Sequence, residues 1–329
     1  MNKIEYLRQH FMDLYEEDEL DEAVEAGAKL MREYWQTQTG PTLAHADDLF
    51  NLAILHHEME NLDAAIDLYS ESARQIKFLK GECVELADRL VNLASALHQK
   101  GMAPHAYAVC REMVEIYRRT VDAKSLALAD GLYTFANIAS EVVGVDVGLY
   151  FHLEAMNIRR ESDDTPIDDI IDSLQSVAFL YEAKSDYENA IPFASAAKMI
   201  AENGPRFLGA CNYLADLYEA NKEYDKAADM YADAQEVARA TIGAKHATYI
   251  KITLKLATSL FRANRHNASL YAHHMALNAL EKTCGVNHIF YTNCLKSMAM
   301  VHESLGDTSR VETLLMRAIK LRKAIRSDI

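Results

Sequence analysis

Chain breakers are scarce in this protein. Of 329 residues, 12 are glycine and 5 proline, too few for an architecture of short strands and turns, which needs such residues at every corner. No run of eighteen apolar residues occurs, and the opening Met1-Asn2-Lys3-Ile4-Glu5-Tyr6-Leu7-Arg8 has no apolar centre, so neither a spanning helix nor a secretory leader is expected. The five cysteines, Cys83, Cys110, Cys211, Cys284 and Cys294, are odd in number and include no Cys-x-x-Cys pair. That argues against a disulfide framework or a zinc site and fits a reducing cytoplasm. Cations are in deficit too, with 34 Lys and Arg against 49 Asp and Glu and a formal charge of −15. A protein that binds phosphate backbones needs a basic stripe to release counterions, so neither nucleic acid nor an anionic membrane is expected as partner. His-Glu-x-x-His, Gly-x-Ser-x-Gly, Walker and Gly-x-Gly-x-x-Gly motifs are missing as well, and no catalytic residue, metal or cofactor is expected.

What the chain does have is a period. Alanine recurs at Ala53, Ala94, Ala136, Ala178, Ala215, Ala257 and Ala299, with gaps of 41, 42, 42, 37, 42 and 42 residues. Twelve residues after these stand Ala65, Ala106, Gly148, Ala190, Ala227 and Ser269; nineteen after stand Ser72, Met113, Ala155, Ala197, Ala234, Ala276 and Ala318. The register extends back to Phe11 and Ala23, giving eight units. Self-similarity at this step is the signature of a solenoid. The expected units cover approximately 3–40, 43–82, 84–124, 126–164, 167–203, 205–245, 247–287 and 289–327, in a single domain over 1–329.

Each unit reads as two amphipathic helices in a hairpin. Small residues sit where one helix axis crosses another, since a large side chain there would force the backbones apart. Leu49, Leu52, Leu90, Leu93, Leu132, Phe135, Leu174, Val177, Leu214 and Leu256 fill the other core slots. Asp21, Asp63, Asp146, Asp225, Asn267 and Ser309 fall ten residues after the first small position, where they are expected to cap the second helix, and Pro104 takes that place in the third unit. The 37-residue gap contains Asn203-Gly204-Pro205, so a helix or its connection should be shortened there. The end units are atypical, as caps are: Phe11 replaces the first small residue and Val311 the second. The last helix carries Arg317, Lys320, Arg322, Lys323 and Arg326, either a solvated cap whose cations suit the helix C-terminus or a basic docking site. An exposed apolar edge on an end unit could stack two copies; the oligomeric state is open from sequence.

The pattern resembles the tetratricopeptide repeat, whose small residues occupy repeat positions eight, twenty and twenty-seven. Ala215, Ala227 and Ala234 match them within Leu214-Ala215-Asp216-Leu217-Tyr218, with Tyr231 where the family carries an aromatic. The usual unit has about 34 residues; the extra length is about one turn per helix. Such long units are similar to those of kinesin light chains, as are Gly243-Ala244-Lys245-His246 and Gly285-Val286-Asn287-His288, which match the Gly-x-x-His closing of those repeats. The resemblance implies an all-α, right-handed α-α superhelix of about eight helix-turn-helix repeats.

It also implies a groove lined by the first helix of each unit, through positions two, five, nine and twelve, and often six. Position two is Glu5, Asp47, Asp88, Asp130 and Asp172, then Gly209, Lys251 and Asn293. A carboxylate ladder along one half would attract a basic segment, while Lys251, Lys255 and Lys296 make the other half basic. Alternatively the carboxylates answer the helix dipole from the first turn. Asn51 and Asn92 at position six are the family's means of holding an extended backbone, and amides suit that because they both donate and accept. Tyr133, Asn137 and His98 occupy positions five, nine and twelve. Lys251 and Lys255 have the spacing of a carboxylate clamp, but Tyr213 stands at position six of the preceding unit, so a complete clamp does not follow, nor does kinesin-like cargo transport. His57 and His98 share helices with Asp47 and Asp88, yet ten residues along a helix is about 15 Å, too far to share an ion. His56, His302, His152 and His273 replace core aromatics and read as structural. The expected function is a non-enzymatic scaffold that takes a protein or peptide segment into its groove, or a regulator whose superhelix changes pitch when a peptide binds.

Overall fold

A computed structural model of the protein describes residues 2–37, 40–202, 205–286 and 288–327, the side chains of 324–327 excepted. Among these residues there are sixteen helices and no strand. Eight lie in one compact unit, Met1–Pro166: α1 (Lys3–Glu16), α2 (Leu20–Gln36), α3 (Leu43–Glu58), α4 (Leu62–Lys80), α5 (Val84–Gln99), α6 (Ala103–Thr120), α7 (Leu126–Val142) and α8 (Val145–Glu161). Eight lie in a second, Ile167–Ile329: α9 (Ile167–Ala183), α10 (Tyr187–Ala201), α11 (Pro205–Ala220), α12 (Tyr224–Thr241), α13 (Ala247–Arg262), α14 (His266–Cys284), α15 (Ile289–Ser304) and α16 (Thr308–Ser327). Within each unit every helix packs on the next, and first helices of neighbouring repeats also touch, α5 on α7 and α13 on α15. No described helix is long and apolar enough to cross a membrane.

The small residues stand at the helix crossings, as their phase requires. Ala53, Ala94, Ala136, Ala178, Ala215 and Ala257 are fully buried, as are Ala65, Ala106, Ala190 and Ala227. At the crossing of α7 on α8 the small residue is glycine. A Cβ added to Gly148 would lie 2.4 Å from Ser140 Cβ and 2.9 Å from the Ala136 carbonyl oxygen, so only glycine fits between these backbones. Where the small residue is serine, its hydroxyl is used: Ser269 donates to the Ala257 carbonyl at 2.7 Å and Ser72 to the Ala46 carbonyl at 2.6 Å. Buried aromatics such as Tyr69 and Tyr231 fill the wider gaps between repeats.

The hairpin turns follow one rule. In seven of the eight a residue with φ between 58° and 81° ends the first helix: Asp18, Glu60, Gly101, Ser185, Lys222, Asn264 and Gly306. The next amide then reaches back to a carbonyl five residues earlier, as in Asn61 to His56, Glu223 to Tyr218 and Arg265 to Leu260, each at 2.8 Å. This is the Schellman closure, which satisfies carbonyls the helix end would leave orphaned.

The expected caps are displaced. The cap positions of α2, α4, α8 and α12 are held by Glu19, Asn61, Gly144 and Glu223, and Asp21, Asp63, Asp146 and Asp225 fall two residues later, inside the first turn. There a carboxylate favours the helix through its dipole and makes no cap. Asn267 likewise follows the cap residue Arg265 of α14. A side-chain cap is made by Asp186, which accepts from the Asn189 amide at 3.3 Å in the repeat with the irregular gap. In that repeat α10 has 15 residues, against 17 to 20 in the other second helices, and three residues connect it to α11 where five connect α12 to α13, so the shortening is shared by helix and connection. Of the breakers, Pro205 opens α11, while Asn203 and Gly204 lie outside the described residues, as do Asn287 of the second Gly-x-x-His motif and the Arg326 side chain. His152, His273 and His302 are buried core residues; His56 is half-buried.

Candidate partner-binding site

Glu5 lies in the first turn of α1 and is taken up in a capping box with Asn2, but the other four carboxylates of the ladder lie five or six residues into α3, α5, α7 and α9, so the helix dipole does not account for them. Each already has a donor. Asp47 is paired with Arg89, whose guanidinium lies 4.0 Å over the Phe50 ring; burial holds that guanidinium's pKa below its usual value, against the pull of Asp47. Asp88 accepts from the Tyr117 hydroxyl at 2.6 Å, and burial together with this bond raises the phenol's pKa. Asp130 is held by Arg159 at 2.6 Å. Asp172, in the second unit, is held by Arg206 at 2.7 Å, and Arg206 also reaches Asp168 at 2.9 Å.

The other candidate residues of the first unit are similarly engaged. Asn92 donates to the Asp88 carbonyl of its own helix at 3.1 Å, and Asn51 turns its amide to the Met12 sulfur at 3.8 Å. His98 bridges α5 and α7 through Glu141 at 2.7 Å. Asp130, Tyr133 and Asn137 come together in one network. Arg159 lies 4.8 Å over Tyr133; the His152 ring meets Tyr133 edge-on at 4.9 Å and places Nε2 3.1 Å from Asn137 Oδ1. Burial and the Arg159 charge push the His152 pKa down to about 4, so the ring is neutral near pH 7.

The basic half is different. In the second unit, α11 to α15 line a cavity of about 800 Å³ that opens to solvent. Ala247, Ile250, Leu254, Leu280 and Phe290 give it apolar walls, and Lys251, Lys255 and Arg262 stand among them. Lys255 is neutralised by Asp216, whose oxygens lie 2.6 and 2.7 Å from Nζ and which also accepts from the Tyr231 hydroxyl. Arg262 is paired with Glu219, which accepts a further bond from Ser259 at 2.5 Å. Lys251 is exposed, and among the described residues no ion pair engages it. The cavity therefore presents one uncompensated ammonium beside apolar walls. The sequence reading missed this wall; Leu254 and Thr258, at positions five and nine of the groove register, are the part of it that following those positions finds, whereas Leu280 and Phe290 come from the second helix and the following repeat, which groove positions do not cover. Among the described residues no three His, Cys, Asp or Glu gather as a metal site.

The tetratricopeptide repeat family model matches residues 207–248, the segment of α11 and α12 that forms one side of this cavity. The apo form of RapI is similar over 99% of this chain and 99% of its own, at 13% identity and a TM-score of 0.62. The apo quorum sensor NprR from B. thuringiensis is similar over 96% of this chain and 86% of its own, at 14% identity and a TM-score of 0.55. Putative kinesin light chain repeats from Podosopora anserina are similar over 60% of this chain and 97% of theirs, at 15% identity and a TM-score of 0.52. No curated protein sequence matches significantly. The tetratricopeptide match is thus to one helix pair, and over the rest of the chain the likeness is one of fold: all-α helix-pair repeats such as RapI and the long kinesin light chain repeats also have.

Proposed function

We propose that this chain is a non-enzymatic interaction protein that takes an extended segment of a partner protein on the face made by its first helices, with the main site in the cavity of α11 to α15. The observation that carries the reading is Lys251: an exposed ammonium with no ion-pair partner among the described residues, at an apolar cavity of about 800 Å³. Such a site suits a large apolar side chain with a carboxylate close to it, because apolar burial supplies affinity and the charge selects register and partner. The basic segment expected of the carboxylate ladder has less support, since Asp47, Asp130 and Asp172 already hold arginines. Peptides selected from a random display library should carry an acidic residue beside an apolar one. Lys251→Glu should weaken their binding by roughly tenfold, the scale of ~1.4 kcal/mol for a reversed charge. Selected peptides that are basic, and that bind Lys251→Glu unchanged but lose affinity for Asp88→Lys, would refute the cavity reading in favour of the ladder.

A second reading is a regulator that changes helical pitch when it takes a peptide. The likeness to NprR, a quorum sensor, supports it at the level of fold. Solution scattering separates the two: compaction on adding a selected peptide favours the regulator, and an unchanged radius of gyration favours the scaffold.

A further inference from the structure

Within each unit a second helix that precedes another repeat packs on it, and does so through three residues in the repeats where the pattern is clearest. In the second, third and seventh repeats these are Tyr69, Ala73 and Ile76; Cys110, Val114 and Tyr117; and His273, Leu277 and Leu280, all buried. The facing helix contributes the matching positions: α3 sets Leu52 against Gly27 of α2, and α7 sets Gly131 against Tyr117 of α6. Forty-two residues beyond His273, Leu277 and Leu280 the same positions of α16 hold Leu315, Ile319 and Arg322. They are exposed, Leu315 to 38% and Ile319 to 51%, with Met316 beside them at 70%. Helix α16 thus carries the contact face of an interior repeat with no described helix upon it.

The complementary face exists on α1. Forty-two residues before Asp48, Leu52 and Leu55 of α3, which pack on the preceding repeat, stand Tyr6, His10 and Asp13 of α1, all exposed, with Tyr6 and His10 stacked. The charges are opposite. Residues 308–323 carry five cations and one carboxylate, and residues 3–19 carry six carboxylates and two cations. We infer that α16 of one molecule receives α1 of a second copy of this chain, continuing the repeat stack head to tail. In the register of the interior repeats, where Tyr34 of α2 donates to Asp48 of α3 at 2.7 Å, Arg322 falls opposite Tyr6, a cation on an aromatic face. Ile319 and Leu315 fall opposite Tyr6 and His10. A symmetric pairing of two α16 helices would bring five cations against five and is disfavoured by that repulsion. A head-to-tail contact is heterologous, so association does not stop at a dimer unless a ring closes.

Sedimentation of the full chain over a range of concentrations tests this. The weight-average mass should rise above the monomer's 37.0 kDa at low salt and fall back towards it at high salt. Two variants then assign the faces, each altered at exposed positions and checked for unchanged helix content. Leu315→Glu with Ile319→Glu spoils α16, and Tyr6→Arg with His10→Arg spoils α1. Each alone should stay monomeric, and their mixture should give a one-to-one complex and nothing larger, because only one intact pair of faces remains. A wild type that is monomeric throughout overturns the inference. So does a Tyr6→Arg, His10→Arg variant that still self-associates, which would mean α16 pairs with itself or another surface is used.

Discussion

Gly148→Ala and Gly209→Ala are the same chemical change in two helices and should have opposite effects. Gly209 lies inside α11 on an exposed surface, with nothing within 4 Å of an added Cβ and no positive φ. The substitution there removes only the conformational penalty of glycine in a helix, and should stabilise by about 0.8–1 kcal/mol. At Gly148 the same gain is offset by collision. The new Cβ would sit 2.4 Å from Ser140 Cβ, 2.9 Å from the Ala136 carbonyl oxygen and 3.0 Å from Ser140 Cα, where carbon contacts begin near ~3.5 Å. Two of these three atoms are backbone, so no rotamer change relieves them and α7 must part from α8 by about 1 Å. Overpacking of this kind costs about 1–3 kcal/mol, and contacts to backbone place it in the upper half of that range. The net is a loss of about 1–2 kcal/mol, and the two variants should differ by about 2–3 kcal/mol. Urea unfolding followed by far-ultraviolet circular dichroism, with each variant's midpoint compared with wild type, measures this. A Gly148→Ala midpoint at or above wild type would refute the claim that the backbones at this crossing are in contact.

Further outcomes follow from the turns and from the buried histidine. Lys222 holds φ at 63°, a left-handed conformation that costs a side-chain-bearing residue about 1 kcal/mol, so Lys222→Gly should raise the unfolding free energy by up to that amount and move the urea midpoint upwards; a lowered midpoint would sink the assignment of strain. His152 titrates at about 4 in the folded chain against about 6.5 unfolded. The unfolded state therefore binds the extra proton between these values, and stability, fully present above pH 6.5, falls as pH drops towards 4 by up to about 3 kcal/mol. His152→Phe should flatten that part of the stability profile; an unchanged slope between pH 6.5 and 4 would show that other groups produce it.

Much of the fold was legible in the sequence because helix crossings constrain residue size. A position where two axes meet tolerates alanine, glycine or serine whatever the rest of the surface does, so Ala53, Ala94 and Ala136 keep their phase through wide variation around them. Capping was less legible. The aspartates at Asp21, Asp63, Asp146 and Asp225 have the chemistry of a cap and of a first-turn residue alike, and the two roles differ by only two positions. The decision rests with the turn before them, where the Schellman closure fixes the last residue outside the second helix. In the sequence that turn is occupied by Glu60, Ser185 and Lys222 as readily as by Gly101, so no glycine marks it.

The candidate site was legible as a set of charges and illegible as a set of pairs. Asp47 and Asp88 look like a ladder when one register position is followed through the units. The residue that answers a charge, however, often stands in the adjacent unit, about one period away: Arg89 is 42 residues from Asp47, Glu141 43 from His98, Asp216 39 from Lys255 and Glu219 43 from Arg262. In a solenoid a side chain on a first helix meets its neighbour's first helix as closely as its own partner helix, so charge must be balanced across the period before a field is assigned to a face. By that balance Lys255 and Arg262 cancel locally and Asp47 is spent on Arg89. Among the described residues Lys251, Lys296 and Asp88, the last bonded to the neutral Tyr117 phenol, are left without an ion pair, and of these Lys251 stands beside Ile250 and Leu254 at the cavity. A groove read by counting charges of one sign would send the search to the first unit. Once each charge is set against its partner a period away, the cavity beside Lys251 is where an unpaired charge adjoins apolar walls, and the proposed site rests on that conjunction.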